Sequence, residues 1–79
     1  MKVQILGTGC PKCKMLEANA REALTEIGLD AELVKVDNID DIMDMGVMVT
    51  PALAIDGDVK SAGKLLTKDQ IITILKEVK

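Results

Sequence analysis

Two cysteines are the side chains of this sequence best suited to chemistry. Cys10 and Cys13 are separated by Pro11 and Lys12, in a chain of 79 residues that contains no histidine. Residues three apart in the first turn of a helix lie on the same side, so the two sulfurs can form a disulfide. A ring of about four residues stabilises a fold by only roughly 2 kcal/mol, against ~3 kcal/mol for fifteen residues. The pair therefore favours reversible thiol-disulfide exchange over a structural role.

The expected position of the pair at a helix start favours a reactive thiolate. Cys10 is expected at the N-cap, Pro11 at the first helical position and Cys13 at the third. Unpaired backbone N–H groups and the positive end of the helix dipole stabilise an anion there, which predicts a lowered pKa for Cys10. Lys12 and Lys14 oppose the helix dipole, so they support a functional site, although solvated surface lysines are the alternative.

The composition limits the other functions open to the chain. It carries 13 acidic and 10 basic side chains, for a net charge of −3, and no Phe, Trp or Tyr. Nucleic-acid binding relies on Lys and Arg clusters and on stacking aromatics, so the composition argues against it. The apolar stretch at residues 1–6 is too short for a signal peptide or a membrane span. The sequence therefore predicts a cytosolic protein with no membrane partner, where thiols are kept reduced.

The segments around the cysteines predict the elements that hold them. Residues 2–6 alternate apolar and polar side chains, which indicates a strand that stops at residues 7–9 (Gly-Thr-Gly). From Pro11 an amphipathic stripe favours a helix that closes at Gly28. The apolar members of this stripe are Leu16, Ala20, Ala23, Leu24 and Ile27.

A second strand and a short helix are expected next. Residues 31–36 are rich in β-branched and apolar types, which favours a strand. Asp37 or Asn38 is a suitable N-cap for a short helix that ends at Gly46.

A hairpin and a final helix complete the predicted order. Residues 52–55 and 59–62 are expected to pair as antiparallel strands through the Asp56-Gly57 turn. Thr67 is the expected cap of a last helix that continues to Val78. The order is βαβαββα, which predicts an α/β fold with a four-stranded mixed sheet flanked by helices.

These motifs resemble those of the small thioredoxin/glutaredoxin-like redox-active disulfide proteins of archaea and bacteria. The resemblance rests on residues 7–13 (Gly-Thr-Gly-Cys-Pro-Lys-Cys), on residues 49–53 (Val-Thr-Pro-Ala-Leu), and on the Asp56-Gly57 turn with a later Gly63. It spans essentially all 79 residues. It implies a thioredoxin-like fold, in agreement with one domain over residues 1–79.

The resemblance also implies a role for individual residues. Cys10 and Cys13 would form the redox-active disulfide as the catalytic pair, and Pro51 would be cis and pack beside them. Thr50 would offer its backbone N–H and C=O to an extended substrate. The residues implied in substrate binding are Pro11, Lys12, Thr50 and Pro51.

Two features of the family pattern are missing from this sequence. Glutaredoxins hold glutathione with a Gly-Gly pair followed by acidic residues, and residues 62–66 (Ala-Gly-Lys-Leu-Leu) lack both. The sequence therefore argues against a dependence on glutathione. The first strand, residues 2–6, carries no acid to accept a proton from Cys13. Water is the acceptor that the sequence leaves available.

Three methionines precede Thr50 in the sequence. Met43, Met45 and Met48 suit both irregular core gaps and adaptable contact surfaces. Core filling is the favoured interpretation in a chain without aromatic residues, and an apolar rim for docking partner proteins is the alternative.

Two other functions compete with redox exchange. Copper carriers of similar length also place Cys-x-x-Cys after a first strand, and thiolates select Cu(I), but their element order is βαββαβ and ends in a strand. A non-catalytic adaptor of the same fold is the other alternative. A zinc site would need two further ligands that the sequence offers only as carboxylates or through a second subunit.

We therefore expect a thiol-disulfide oxidoreductase that works by ping-pong exchange, with no bound metal or cofactor. Cys10 would attack the substrate disulfide and Cys13 would release the product. The expected partners are disulfide-containing proteins and an upstream disulfide reductase, and the expected state is a monomer.

Overall fold

The computed structural model describes residues 1–9 and 11–78. The first strand, β1 (Lys2–Leu6), lies inside a four-stranded sheet of order β2-β1-β3-β4. β2 (Glu32–Val36) pairs with it in parallel, one residue shorter at its start than predicted. β3 (Ala52–Ile55) pairs with the other side of β1 antiparallel, so the sheet is mixed as predicted. Because β1 is an inner strand, the residues that follow its carboxyl end lie between β2 and β3 rather than at an outer edge of the sheet.

The first helix, α1 (Pro11–Ile27), follows β1 after a four-residue connection at 7–10 and has the predicted bounds. Its buried side chains repeat at helical spacing, which places one face of the helix on the sheet. Leu29 N–H donates to the Leu24 carbonyl at 3.1 Å and closes the last turn. The buried residues of this face are Cys13, Leu16, Ala20, Ala23 and Leu24.

The second helix, α2 (Ile39–Asp44), is short and begins at a side-chain cap. Asn38 is the N-cap, and its side-chain oxygen accepts a hydrogen bond from Asp40 N–H at 2.8 Å. Of the two predicted caps, Asn38 is therefore the correct one. Ile42 is the buried residue of this helix, so α2 is anchored by one side chain and exposes most of its surface.

The hairpin between β3 and β4 (Asp58–Ala62) turns at Asp56 and Gly57, as predicted. Both residues have positive φ, at 51° and 84°, which is the conformation of a type I′ turn and explains the Asp-Gly sequence. β1 holds this turn in place, because Gly57 N–H donates to the side chain of Gln4 at 2.7 Å.

The last helix, α3 (Lys68–Val78), starts with a reciprocal cap. Gln70 N–H donates to the Thr67 hydroxyl at 3.2 Å, and Thr67 N–H donates to the Gln70 side chain at 2.9 Å. Ile71, Ile72 and Leu75 are buried, and α3 packs against α1. The predicted cap at Thr67 is confirmed.

The period of the strands divides the core between the two faces of the sheet. Val3, Ile5, Leu53 and Ile55 pack with α1 and α3 in the larger cluster. On the other face, the smaller cluster packs around Ile42 of α2. Its other buried members are Leu6, Val47, Ala52 and Ala54.

The complete element order is βαβαββα, as predicted, and it ends in a helix. This is the order that separates the redox interpretation from the copper-carrier interpretation. Among the residues that the structure describes, no helix has the length and apolar character needed to cross a membrane.

The cap of α3 gives a direct test of this fold. Thr67→Ala removes the hydroxyl that accepts from Gln70 N–H, and we expect it to lower the free energy of unfolding by about 1 kcal/mol. Thr73→Ala is the matched control, because its hydroxyl only donates back to the Asp69 carbonyl within the same helix. Urea unfolding should show a loss for Thr67→Ala only. Equal losses for both variants would contradict the capping interpretation.

Candidate active site

Cys13 lies in the first turn of α1, which begins at Pro11 as predicted. Its side chain is 5% exposed and its sulfur is disulfide-bonded. Pro11 and Lys12 are exposed beside it. Cys10 lies outside the described residues, so its N-cap position and its pairing with Cys13 stay predictions. Because the Cys13 sulfur is shielded from solvent, it suits a second attack inside the protein better than a first attack on a substrate.

Gly7, just after β1, leaves the space into which Cys13 packs. A Cβ atom placed on Gly7 would overlap the Cys13 sulfur and would lie 4.0 Å from the Cβ of Thr50. Gly7 is itself held, since its N–H donates to the Val36 carbonyl at 2.9 Å and extends the pairing with β2. The structure therefore brings Cys13 and Thr50 together at the carboxyl end of β1.

The peptide bond between Thr50 and Pro51 is cis, as the resemblance implies. Pro51 is buried and its carbonyl accepts a hydrogen bond from Gly63 N–H at 2.9 Å. Gly63 has φ +78°, and a Cβ atom there would lie 2.9 Å from Cγ1 of Val49. Glycine is thus required at the end of β4 to hold residues 49–51 against the sheet.

Thr50 presents unused backbone groups beside Cys13. It is exposed, and no hydrogen bond between described residues involves its backbone N–H or C=O. Free backbone donors and acceptors can pair with an added extended chain. Thr50 therefore has the arrangement expected of a residue that aligns a substrate next to the sulfur.

A small cavity of about 60 Å³ lies next to Cys13 and contains a pair that sequence reasoning missed. Glu17 and Lys35 both line it, with Glu17 Oε1 at 3.4 Å from Lys35 Nζ. Glu17 Oε2 also accepts from Arg21 at 3.0 Å. Lys14 lines the same cavity. Asp37 lines it as well, so the cavity has room for water beside Cys13, two carboxylates and two ammonium groups.

The environment of Glu17 keeps it ionised. Partial burial raises the pKa of Glu17, but the hydrogen bond from Arg21 and the charge of Lys35 more than offset this, so the pKa lies below that of an ordinary glutamate. The spacing from Cys13 to Glu17 is one helical turn, which is the signal that could have identified it. Its pairing with Lys35 depends on the parallel strand β2 and is not visible in the sequence.

An apolar groove of about 220 Å³ lies beside the same site. Thr8 and Thr50 form its end near the cysteine, and Ile39, Met43 and Met48 are among its other lining residues. We call this the α2 groove. The expectation that the methionines fill the core is wrong for Met43 and Met48, which are 60% and 89% exposed. They stay outside because α2 is anchored through Ile42 alone.

The described residues offer no group of three or more His, Cys, Asp or Glu side chains that could hold a metal ion. The copper-carrier interpretation expects an element order that ends in a strand, whereas the last described element here is the helix α3. The element order therefore favours the redox interpretation.

Comparisons with known proteins agree with this geometry. A family profile described as a thioredoxin domain matches residues 1–76. A thioredoxin of Methanothermobacter thermautotrophicus is 49% identical over 75 residues, which cover 95% of this chain and 97% of that protein. A thioredoxin of Methanocaldococcus jannaschii is 40% identical over 74 residues, covering 94% and 85% respectively. A solved structure titled as that of a malarial protein matches with a TM-score of 0.71 at 18% identity, covering 96% of this chain and 93% of the other. That last similarity concerns the fold alone.

The contact at Gly7 can be tested by adding a methyl group. We expect Gly7→Ala to lower the free energy of unfolding by about 1–3 kcal/mol, because the new Cβ overlaps the Cys13 sulfur. It should also raise the rate at which Cys13 is alkylated in the reduced protein, measured by peptide mass spectrometry.

Gly28→Ala is the matched control for Gly7→Ala. Gly28 has φ +63°, and no described atom beyond its chain neighbours lies within 4 Å of the position that a Cβ would take. Alanine there introduces backbone strain without contacting Cys13. It should destabilise the fold but leave the alkylation rate of Cys13 unchanged. If Gly7→Ala leaves both stability and Cys13 protection unchanged, the proposed packing is wrong.

The Glu17 ion pairs predict a specific pH dependence of stability. Because folding lowers the pKa of Glu17, its contribution is present above pH ~4.3 and is lost as the pH falls through the lower folded value. We expect Glu17→Gln to be less stable than the wild type by a few tenths of a kcal/mol near pH 7, since both cationic partners are largely exposed. Urea unfolding should show this difference vanishing toward pH 3. Glu22→Gln, on the same helix, is the control, because Glu22 forms no ion pair with another described residue, and it should match the wild type in stability near pH 7.

Proposed function

The chain belongs to the thioredoxin domain family and is a thiol-disulfide oxidoreductase, and we propose that it exchanges electrons with protein disulfides through Cys10 and Cys13. The observation that carries the proposal is that the buried Cys13 sulfur and Thr50, whose backbone makes no hydrogen bond with another described residue, both lie close to Gly7. We include in the proposal that residues 1–79 act as a single thioredoxin-like domain.

The first step is attack by the Cys10 thiolate on one sulfur of a substrate disulfide. A bond forms between the Cys10 sulfur and that substrate sulfur, the substrate disulfide breaks, and its second sulfur leaves as a thiolate that takes up a proton. The amide groups at the start of α1 and the helix dipole favour the thiolate at this position. The first turn of α1 contains no acidic residue that would oppose this effect.

The second step releases the product. Cys13 loses its proton and attacks the Cys10 sulfur, which forms the Cys10–Cys13 disulfide and frees the remaining substrate thiol. The two electrons of the dithiol have then passed to the substrate. The burial of Cys13 supports this order, since only a group already joined to the protein can readily meet its sulfur.

Substrate alignment falls to the residues around the pair. Thr50 would pair its N–H and C=O with an extended substrate chain. Pro11 and Lys12 are exposed at the start of α1, where a substrate would pass over them. Because this recognition uses backbone groups, it is compatible with many sequences around the substrate disulfide.

The proton of Cys13 has an exit through the neighbouring cavity. The cavity is large enough for water, and its charged lining residues are Lys14, Lys35, Asp37 and the ionised Glu17. We propose that water there accepts the proton and that the lysines stabilise the resulting thiolate. The acid that the first strand lacks is thus replaced by solvent in a charged cavity.

The proposed partners are disulfide-containing proteins and an upstream disulfide reductase that restores the dithiol. The exchange needs no bound cofactor, because both electrons reside on the two sulfurs. We also propose a cytosolic location, which rests on the cysteine usage of the sequence. The proposed oligomeric state is a monomer.

The roles of the two cysteines are separable by substitution. With a dithiol donor and insulin as substrate, Cys10→Ser should abolish disulfide reduction, because it removes the attacking sulfur. Cys13→Ser should stop turnover after the first step and accumulate a mixed disulfide between Cys10 and the substrate, visible by mass spectrometry without reducing agent.

Exchanged phenotypes would reverse the two roles, and unaltered reduction in Cys10→Ser would overturn the proposal. A Cu(I) titration of the wild type, Cys10→Ser and Cys13→Ser at one pH tests the copper-carrier alternative. Tight copper binding by a wild type that reduces no disulfide would favour a carrier.

A further inference from the structure

The α2 groove continues the redox site into an exposed apolar surface. Thr8 lines both the cavity beside Cys13 and the α2 groove, and Thr50 lines the groove. A substrate chain paired with Thr50 therefore has part of its length over the groove. Exposed apolar side chains concentrated in one place mark interaction surfaces. Those near the groove are Ile39, Met43, Met48 and Val49, all more than half exposed.

The same segment carries an unbalanced negative charge. Residues 36–50 include four aspartates and no lysine or arginine. All four are exposed, and none forms an ion pair with another described residue. These aspartates are Asp37, Asp40, Asp41 and Asp44.

Helix stability explains only part of this charge. Asp40 and Asp41 are in the first turn of α2, where negative charge is favourable to the helix dipole. Asp44 ends the same helix, where negative charge is unfavourable, and Asp37 precedes the cap. Asp44 opposes the stability of α2 and forms no ion pair with another described residue, so a partner outside the chain explains it better.

We propose that the α2 groove selects protein disulfides whose cysteine lies next to an apolar residue flanked by lysine or arginine. The apolar side chain would enter the groove between Met43 and Met48, whose flexible thioethers adapt to different shapes. The basic residues would face the aspartates in and just before α2. This inference rests on the proposed function, and it adds the chemical class of the preferred substrate.

The test compares disulfide-bonded peptides that differ only in the residues flanking the cysteine. One peptide carries Leu with two Lys, one carries Leu with two Glu, and one carries Gly with two Lys. A small disulfide, hydroxyethyl disulfide, reports exchange chemistry without the groove. The reduced protein is mixed with each at low salt, and the second-order rate constant of exchange is measured by stopped flow.

We expect the Leu-Lys peptide to react about tenfold faster than the Leu-Glu peptide, with the ratio falling as salt is added. Asp41→Asn combined with Asp44→Asn should reduce that ratio to roughly two- or threefold. Asp30→Asn is the control, because Asp30 is exposed outside the segment, and it should preserve the ratio.

The apolar part of the proposal has its own pair of variants. Met48→Ser should lower the preference for the Leu-Lys over the Gly-Lys peptide by about three- to tenfold, since it removes an apolar wall of the groove. Met15→Ser is the control, because Met15 is 53% exposed on α1 and does not line the groove.

Equal rates for the Lys and Glu peptides, with hydroxyethyl disulfide still reduced, would overturn the substrate class and leave the proposed function intact. Failure to reduce any of the four disulfides would overturn the proposed function and this inference with it. A loss of preference in the control variants equal to that in the groove variants would also contradict the role of the groove.

Discussion

The site depends on the close packing of the Cys13 sulfur against Gly7. Any side chain at position 7, just after β1, would overlap the Cys13 sulfur. The absence of a Cβ at Gly7 therefore allows the close approach of α1 to the end of β1. Thr50 approaches the same point from the start of β3. Because β1 lies between β2 and β3 in the sheet, three elements meet there, and the first turn of α1 is held relative to the segment that would align a substrate.

Two different surfaces result from this arrangement. On one side, Cys13 shares a small charged cavity with Glu17 and Lys35, which has room for water near the buried sulfur. On the other side, α2 buries only Ile42 and leaves Met43 and Met48 exposed beside Thr50. The first surface suits the electron and proton steps of exchange, and the second suits recognition. A small domain can combine both functions because the two surfaces share the residues between β1 and α1.

The sequence predicts the fold well where local rules decide it. The Asp56-Gly57 turn, the Thr67 cap and the apolar stripe of α1 each follow from neighbouring residues, and the structure confirms them. The pairing of Glu17 with Lys35 could not be predicted, because it requires the packing of α1 beside β2. The exposure of Met48 was predicted wrongly for a related reason. Composition suggests a core role, but in the loop after this short helix Val47 takes the buried position and Met48 is left exposed.

The most direct test of the account is the pH dependence of alkylation by iodoacetamide in the reduced protein, followed separately for each cysteine by mass spectrometry. The account predicts that Cys10 reacts first and that its rate reaches a plateau well below pH ~8.5, the pKa of a free cysteine, because amide groups at the start of α1 stabilise its thiolate. Cys13 should react slowly, in keeping with its burial against Gly7. If both thiols titrate like free cysteine and react at similar rates, the pair is not an activated redox site and the account is wrong.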